Sequence, residues 1–190
     1  MATARRTRSG VQDQVRTLIR RVRELADGMD RETFNRRPSP DSWSVAECLE
    51  HLNETARAYL PEFADAIDRA RADGAVADPG APDRTMLGRL IAWTQESGQF
   101  RTRTHPALEP ARDHDPEDVL EAFEALHEEL IVRINEAADL DRRKVRLRSL
   151  VDPRLKLSLG DWFHYMAAHA RRHLAQAERA RARVTAPPSS

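Results

Sequence analysis

At 190 residues the chain is long enough for one well-formed core and short for two domains. Charged residues make up 33% of it and glycines number only 7, a balance that suits long surface-charged helices and excludes a turn-rich β-sandwich. Lys plus Arg and Asp plus Glu stand at 31 each, so no global field recruits nucleic acid or an anionic membrane, and the expected partner is a small-molecule substrate.

Residues 1–9 are expected to form a flexible tail, residues 10–184 one helical domain, and residues 185–190 a disordered end. Val11, Val15, Leu18, Val22, Leu25 and Met29 alternate spacings of four and three, which places one apolar stripe on a first helix. Pro38 and Pro40 break the pattern between Asn35 and Pro40. Ser44-Val-Ala-Glu47 has the form of a capping box, so a second helix should start there. Its apolar face is Val45, Leu49, Leu52, Ala56, Tyr59 and Phe63, and Pro61 inside the run predicts a kink near Tyr59.

Between Asp73 and Asp83, Gly and Pro accumulate without periodicity and read as a loop. A short helix is expected from about Met86 to Thr94, followed by an irregular stretch to His114 that includes His105. So long a crossover lets neighbouring helices of a bundle run parallel. Asp115-Pro116 pairs a favoured cap with a favoured first-turn proline, and Val119, Phe123, Leu126, Leu130 and Ile134 follow at helical spacing as a third helix. Asp139 to Lys156 is basic and reads as a loop or short extended piece, and a fourth helix runs from about Leu159 to Arg183. The fold class is all-α, a four-helix bundle.

The lone cysteine, Cys48, excludes an intramolecular disulfide and fits a reducing compartment. No segment has signal-peptide character or approaches the ~20 apolar residues of a membrane span. A cytoplasmic location without membrane partners is therefore expected.

Seven histidines are present, and helical phase sorts them. Leu159, Trp162, Met166, His173 and Ala177 form a stripe on the last helix with His169 inside its edge, whereas His164 falls on the opposite face. His169 and His173 are thus an i, i+4 pair able to converge on one ion, or simply to fill a partly polar core position. His51 lies at the border of the second helix's stripe, where phase permits an inward position without forcing it. His127 sits within the third helix's stripe and reads as a hydrogen-bonded buried histidine, with a role beside or at the site left open. His105 and His114 carry no organised signal.

Trp43-Ser-Val-Ala-Glu47-Cys-Leu-Glu-His51-Leu resembles the DinB-like superfamily, whose second helix typically opens with Trp-Ser and carries a histidine eight residues after the Trp. Leu157-Ser-Leu-Gly-Asp161-Trp162, followed by His169-Ala-Arg-Arg-His173-Leu-Ala-Gln176, resembles that family's last helix. The resemblance covers about Val11 to Ala182. It implies a four-helix bundle with a long crossover, commonly a homodimer, and a divalent transition metal (Zn, Ni or Mn) held by His51, His169 and His173. Characterised members of the family include thiol S-transferases that use bacillithiol or related low-molecular-weight thiols, and a mycothiol-dependent maleylpyruvate isomerase.

Three neutral histidines leave open coordination positions on a zinc-like ion, which is a catalytic kind of site. The leading expectation is a metal-dependent thiol S-transferase that takes a low-molecular-weight thiol as cosubstrate. Metal-dependent hydrolysis is the nearby alternative, but phase turns Glu50 and Glu54 largely outward and Glu47 is not marked as a base. Gln176 is a candidate for binding the cosubstrate or orienting a ligand, and Cys48 reads as a small core residue. The rival from another class is a non-catalytic binding or dimerisation scaffold.

Overall fold

A computed structural model describes residues 2–77, 83–96 and 110–186. The order of elements is α1 (Ala2–Ala26), α2 (Arg31–Asn35), α3 (Val45–Ala72), α4 (Met86–Glu96), α5 (Pro116–Glu136), β1 (Arg146–Arg148), β2 (Lys156–Ser158) and α6 (Leu159–Val184). The all-α expectation holds, with one two-stranded antiparallel ribbon added, in which Arg146 pairs with Ser158 and Arg148 with Lys156.

The four long helices α1, α5, α3 and α6 touch in that cyclic order and share one apolar core. Cross-helix bonds give their directions. Arg171 to Gln14 and Arg21 to Glu178 run α1 parallel to α6. Gln12 to Asn135 and Arg23 to Glu124 run α1 antiparallel to α5. Asn53 to the Val119 carbonyl and Arg71 to the Glu136 carbonyl run α3 parallel to α5. That last pair is joined through the long crossover, as a parallel neighbour requires.

Local chemistry sets most boundaries. The Ser44 capping box is complete: Glu47 N donates to Ser44 Oγ at 3.1 Å and Ser44 N to Glu47 Oε2 at 2.9 Å. Asp115 caps α5 through Glu117 N at 3.0 Å, with Pro116 in the first turn. Helix α3 continues through Pro61 to Ala72. Helix α1 is helical from Ala2. At its other end α1 stops at Ala26, because Gly28 takes a left-handed φ of 70°. Asp30 then starts the short α2 by accepting from Thr33 N at 2.7 Å. The C-terminal residues 187–190, and His105 with the rest of residues 97–109, lie outside the described residues.

Helix α4 docks on the start of α6 through a buried carboxylate. Asp161 accepts from Thr85 N at 2.9 Å, Thr85 Oγ1 at 2.7 Å and Ser158 Oγ at 2.6 Å. Two glycines make the approach close: a Cβ on Gly88 would lie 1.9 Å from Asp161 Oδ1, and one on Gly160 would lie 2.0 Å from the Asp83 carbonyl oxygen. Gly160→Ala is therefore expected to cost about 1–3 kcal/mol in urea melts, since backbone must shift. Gly10→Ala, whose added Cβ meets nothing within 4 Å inside α1, should instead gain about 0.5–1 kcal/mol. Equal effects of the two substitutions would contradict this packing.

Candidate metal centre

Helices α3 and α6 pack antiparallel: Tyr59 rests on Trp162 and Phe63 on Phe163, while His51 meets His169 and His173 further along. The capping box fixes where α3 begins and hence the phase of His51, two turns in. His169 and His173 project from successive turns of α6. The three rings form a triangle with centroid separations of 5.1, 4.6 and 4.6 Å, and their ligand nitrogens all lie within 4.8 Å of one another. All three side chains are buried, with 5–8% exposure. Phase left His51 open, and the structure turns it inward.

The spacing can be tested against metal chemistry. Two imidazole nitrogens bound tetrahedrally to one zinc-like ion at ~2.0–2.1 Å stand roughly 3.3 Å apart. His51 Nε2 and His169 Nε2 are 3.3 Å apart. The donor set is uniform, three imidazoles and no carboxylate, which suits a borderline ion such as Zn or Ni better than Mg or Ca. The residues present therefore fit a divalent transition metal. Among the described residues His169 Nδ1 and His173 Nδ1 are buried without a hydrogen bond of good geometry, the bond that usually orients a ligating histidine. Aromatic stacking does part of that work. The Trp43 ring stacks on His173 and tilts against His51, with centroids 5.7 and 5.1 Å away. Tyr165 lies parallel to His169 at 5.6 Å and braces in turn on Trp162.

Electrostatics favour the neutral rings that a metal needs. Burial, followed by the neighbouring His51 and Arg172, pushes His173 down to about 3, opposed only by the nearby Gln176 amide. Burial and the other two rings hold His169 well below the ordinary histidine range. Gln176 is half-buried one turn beyond His173, where it is placed to touch that ring.

The remaining candidates do not join this cluster of three, although His127 lies near enough to act on His169 electrostatically. Cys48 is fully buried among core residues, and burial raises its thiol far above the ordinary range, so it is not an available thiolate. Glu47 is committed to Arg37 and to the cap of α3. Glu50 accepts from Arg57 at 2.7 Å and from Asn53 at 2.9 Å. His127 is buried, stacks on Phe123 with centroids 3.8 Å apart, and donates Nδ1–H to the Phe123 carbonyl at 2.8 Å. That bond leaves Nε2 as its lone-pair nitrogen. His164, on the outer face of α6 as phase requires, is covered by the Arg84 and Arg142 side of the molecule, and its Nε2 is buried without a partner. Sequence periodicity missed this covering, because it cannot see α4 fold back over α6. The His114 ring bonds the Ala111 carbonyl, and its backbone N and carbonyl bond the Asn35 side chain.

Buried neutral histidines make stability depend on pH with a definite sign. Burial lowers His127 to about 4, whereas an unfolded histidine protonates below about 6.5. Between those values the unfolded chain binds the extra proton, so this group contributes nothing above pH 6.5 and destabilises the fold increasingly as pH falls toward 4. His127→Leu removes that penalty. Its stability relative to the parent, from urea melts with chelator present, should rise by about 2 kcal/mol between pH 7.5 and pH 5. A difference that does not move with pH would show that His127 is not held neutral.

Comparison with known proteins agrees with this architecture. No curated protein and no solved structure matches the chain. The family model of the DinB superfamily matches residues 14–177, a span that runs from α1 into the last turns of α6 and takes in His51, His169 and His173. The chain belongs to the DinB superfamily.

Proposed function

We propose that the three-histidine centre holds one divalent transition metal and that the protein is a transferase joining a low-molecular-weight thiol to an electrophilic small molecule. The observation that carries this reading is the 3.3 Å approach of His51 Nε2 and His169 Nε2, with His173 completing a buried all-imidazole triangle. A metal bound there supplies Lewis acidity that keeps a small thiol ionised near neutral pH. His51, His169 and His173 would hold the ion as neutral donors, and a three-histidine set would leave room for a substrate beside it. Trp43 and Tyr165 form the walls against which these rings are oriented, and they limit water at that side of the centre.

The chain's own groups favour this chemistry over hydrolysis. A hydrolase needs a general base within reach of the attacking water. Among the described residues the carboxylates beside His51 are already engaged, Glu47 by Arg37 and Glu50 by Arg57. A thiol ionises far more readily than water, so on the metal it would lose its proton to solvent without such a base, and the electrophile's leaving group would depart as the C–S bond forms. The buried Cys48 supports an external thiol over a protein-borne nucleophile.

The test is conjugation of a simple aryl halide electrophile with a panel of biological thiols, using tag-free protein loaded with Zn, Ni or Mn. A metal-dependent rate is expected with at least one thiol, falling at least about a hundredfold in His51→Ala and staying within about threefold of the parent in Cys48→Ala. Absence of a metal-dependent rate with every thiol, or a loss in Cys48→Ala equal to that in His51→Ala, would contradict the proposal.

A further inference from the structure

The zero net charge of the whole chain conceals a strong local separation. Residues 142–156 carry seven Lys or Arg and one Asp, and they include both lysines of the protein, Lys144 and Lys156. The balance elsewhere is correspondingly acidic. Strand pairing sorts these charges: Leu147 and Leu157 face the core, while Arg146, Arg148 and Lys156 occupy the outer face of the ribbon. Helix-borne arginines such as Arg21, Arg57 and Arg133 are met by glutamates. By contrast, Arg146, Arg154 and Lys156 have no ion-pair partner among the described residues, and Arg148 reaches only the Pro153 carbonyl.

Exposed apolar side chains adjoin these cations. At the ribbon tip Leu150 and Val151 are 46% and 40% exposed. Helix α4, which packs beside β2 and on α6, turns Gly88 and Ala92 inward and leaves Met86, Leu87, Leu90 and Trp93 outward, Met86 at 81% and Trp93 at 53% exposure. Among the described residues, six of the eight exposed large apolar side chains thus belong to two adjoining elements beside the densest positive charge.

We infer that α4 and the β1–β2 ribbon form a docking surface for an anionic lipid bilayer, on which the protein sits peripherally. Phosphate headgroups pair with the outward cations, and the Trp, Leu and Met side chains enter the boundary between headgroups and acyl chains. Each alternative occupant leaves half of the surface unmatched. A nucleic acid rewards the cations but offers nothing to aliphatic side chains, and the ribbon face carries no aromatic on which a base could stack. A two-fold contact with a second copy through this surface would cover the apolar residues but set one cationic ribbon against another. No helix among the described residues is long and apolar enough to cross a membrane, so the association is at the surface.

The test uses the full chain with vesicles of phosphatidylcholine containing one-third phosphatidylglycerol, and with vesicles of phosphatidylcholine alone. Co-sedimentation is expected with the anionic vesicles at about 0.1 M salt and release at about 1 M, where charges are screened beyond ~3 Å. Tryptophan emission should shift to the blue on binding, and Trp93→Phe should abolish the shift while leaving Trp43 and Trp162 in place. The triple variant R146E/R148E/K156E should lose at least about tenfold in vesicle affinity, with helix content by circular dichroism checking its fold. Four results would overturn the inference: no binding to anionic vesicles at low salt, equal binding to neutral ones, tighter binding to duplex DNA or RNA, or a Trp93 shift that follows protein concentration instead of lipid.

Discussion

Burying three imidazoles together between α3 and α6 is the constraint on which the rest of the structure turns. Each ring brings two polar nitrogens into a space where an unpaired one costs about 1–3 kcal/mol. Two of them, Nδ1 of His169 and Nδ1 of His173, make no hydrogen bond among the described residues, and the Gln176 amide lies near the His173 ring. A core of alanine and leucine at the same positions would be easier to fold. The helices nevertheless converge there, with the capping box fixing the start of α3, the Ser158 cap on Asp161 N fixing the start of α6, and Tyr59 and Trp162 holding the two in register. An unfavourable arrangement supported from three directions is what a preorganised binding site requires.

The support reaches outward in layers. Trp43 and Tyr165 stack on the rings, Trp162 braces Tyr165, and Trp162 Nε1 donates to the Leu147 carbonyl on β1. Tyr59 meets Ser149 and Leu150 at the end of the same strand. The ribbon is thereby tied to the core that carries the three histidines, while its opposite face holds Arg146, Arg148 and Lys156.

Much of this was legible in the residues because the signals were local. Ser44 with Glu47, Asp115 with Pro116, and the i, i+4 spacing of His169 and His173 each act within one or two helical turns, and each appears where periodicity places it. His51 was different. Its phase put it at a stripe border, and only the contact between α3 and α6 decides that it faces inward; resemblance to the family pointed to it before geometry did. Periodicity also missed α2, a single capped turn too short to show a repeat, and the covering of His164 by distant side chains. A net charge of zero says nothing about how charge is distributed, and antiparallel pairing of β1 with β2 brings Arg148 and Lys156 onto one face from eight residues apart.

The central claim is that these three histidines are a metal site and not a polar patch in a helical core. Elemental analysis of tag-free protein, for the wild type and for His169→Ala, tests it most directly. Close to one equivalent of a transition metal is expected in the wild type and its loss in the variant, with helix content preserved. A wild type that carries no metal and takes up neither Zn, Ni nor Mn on incubation would contradict it.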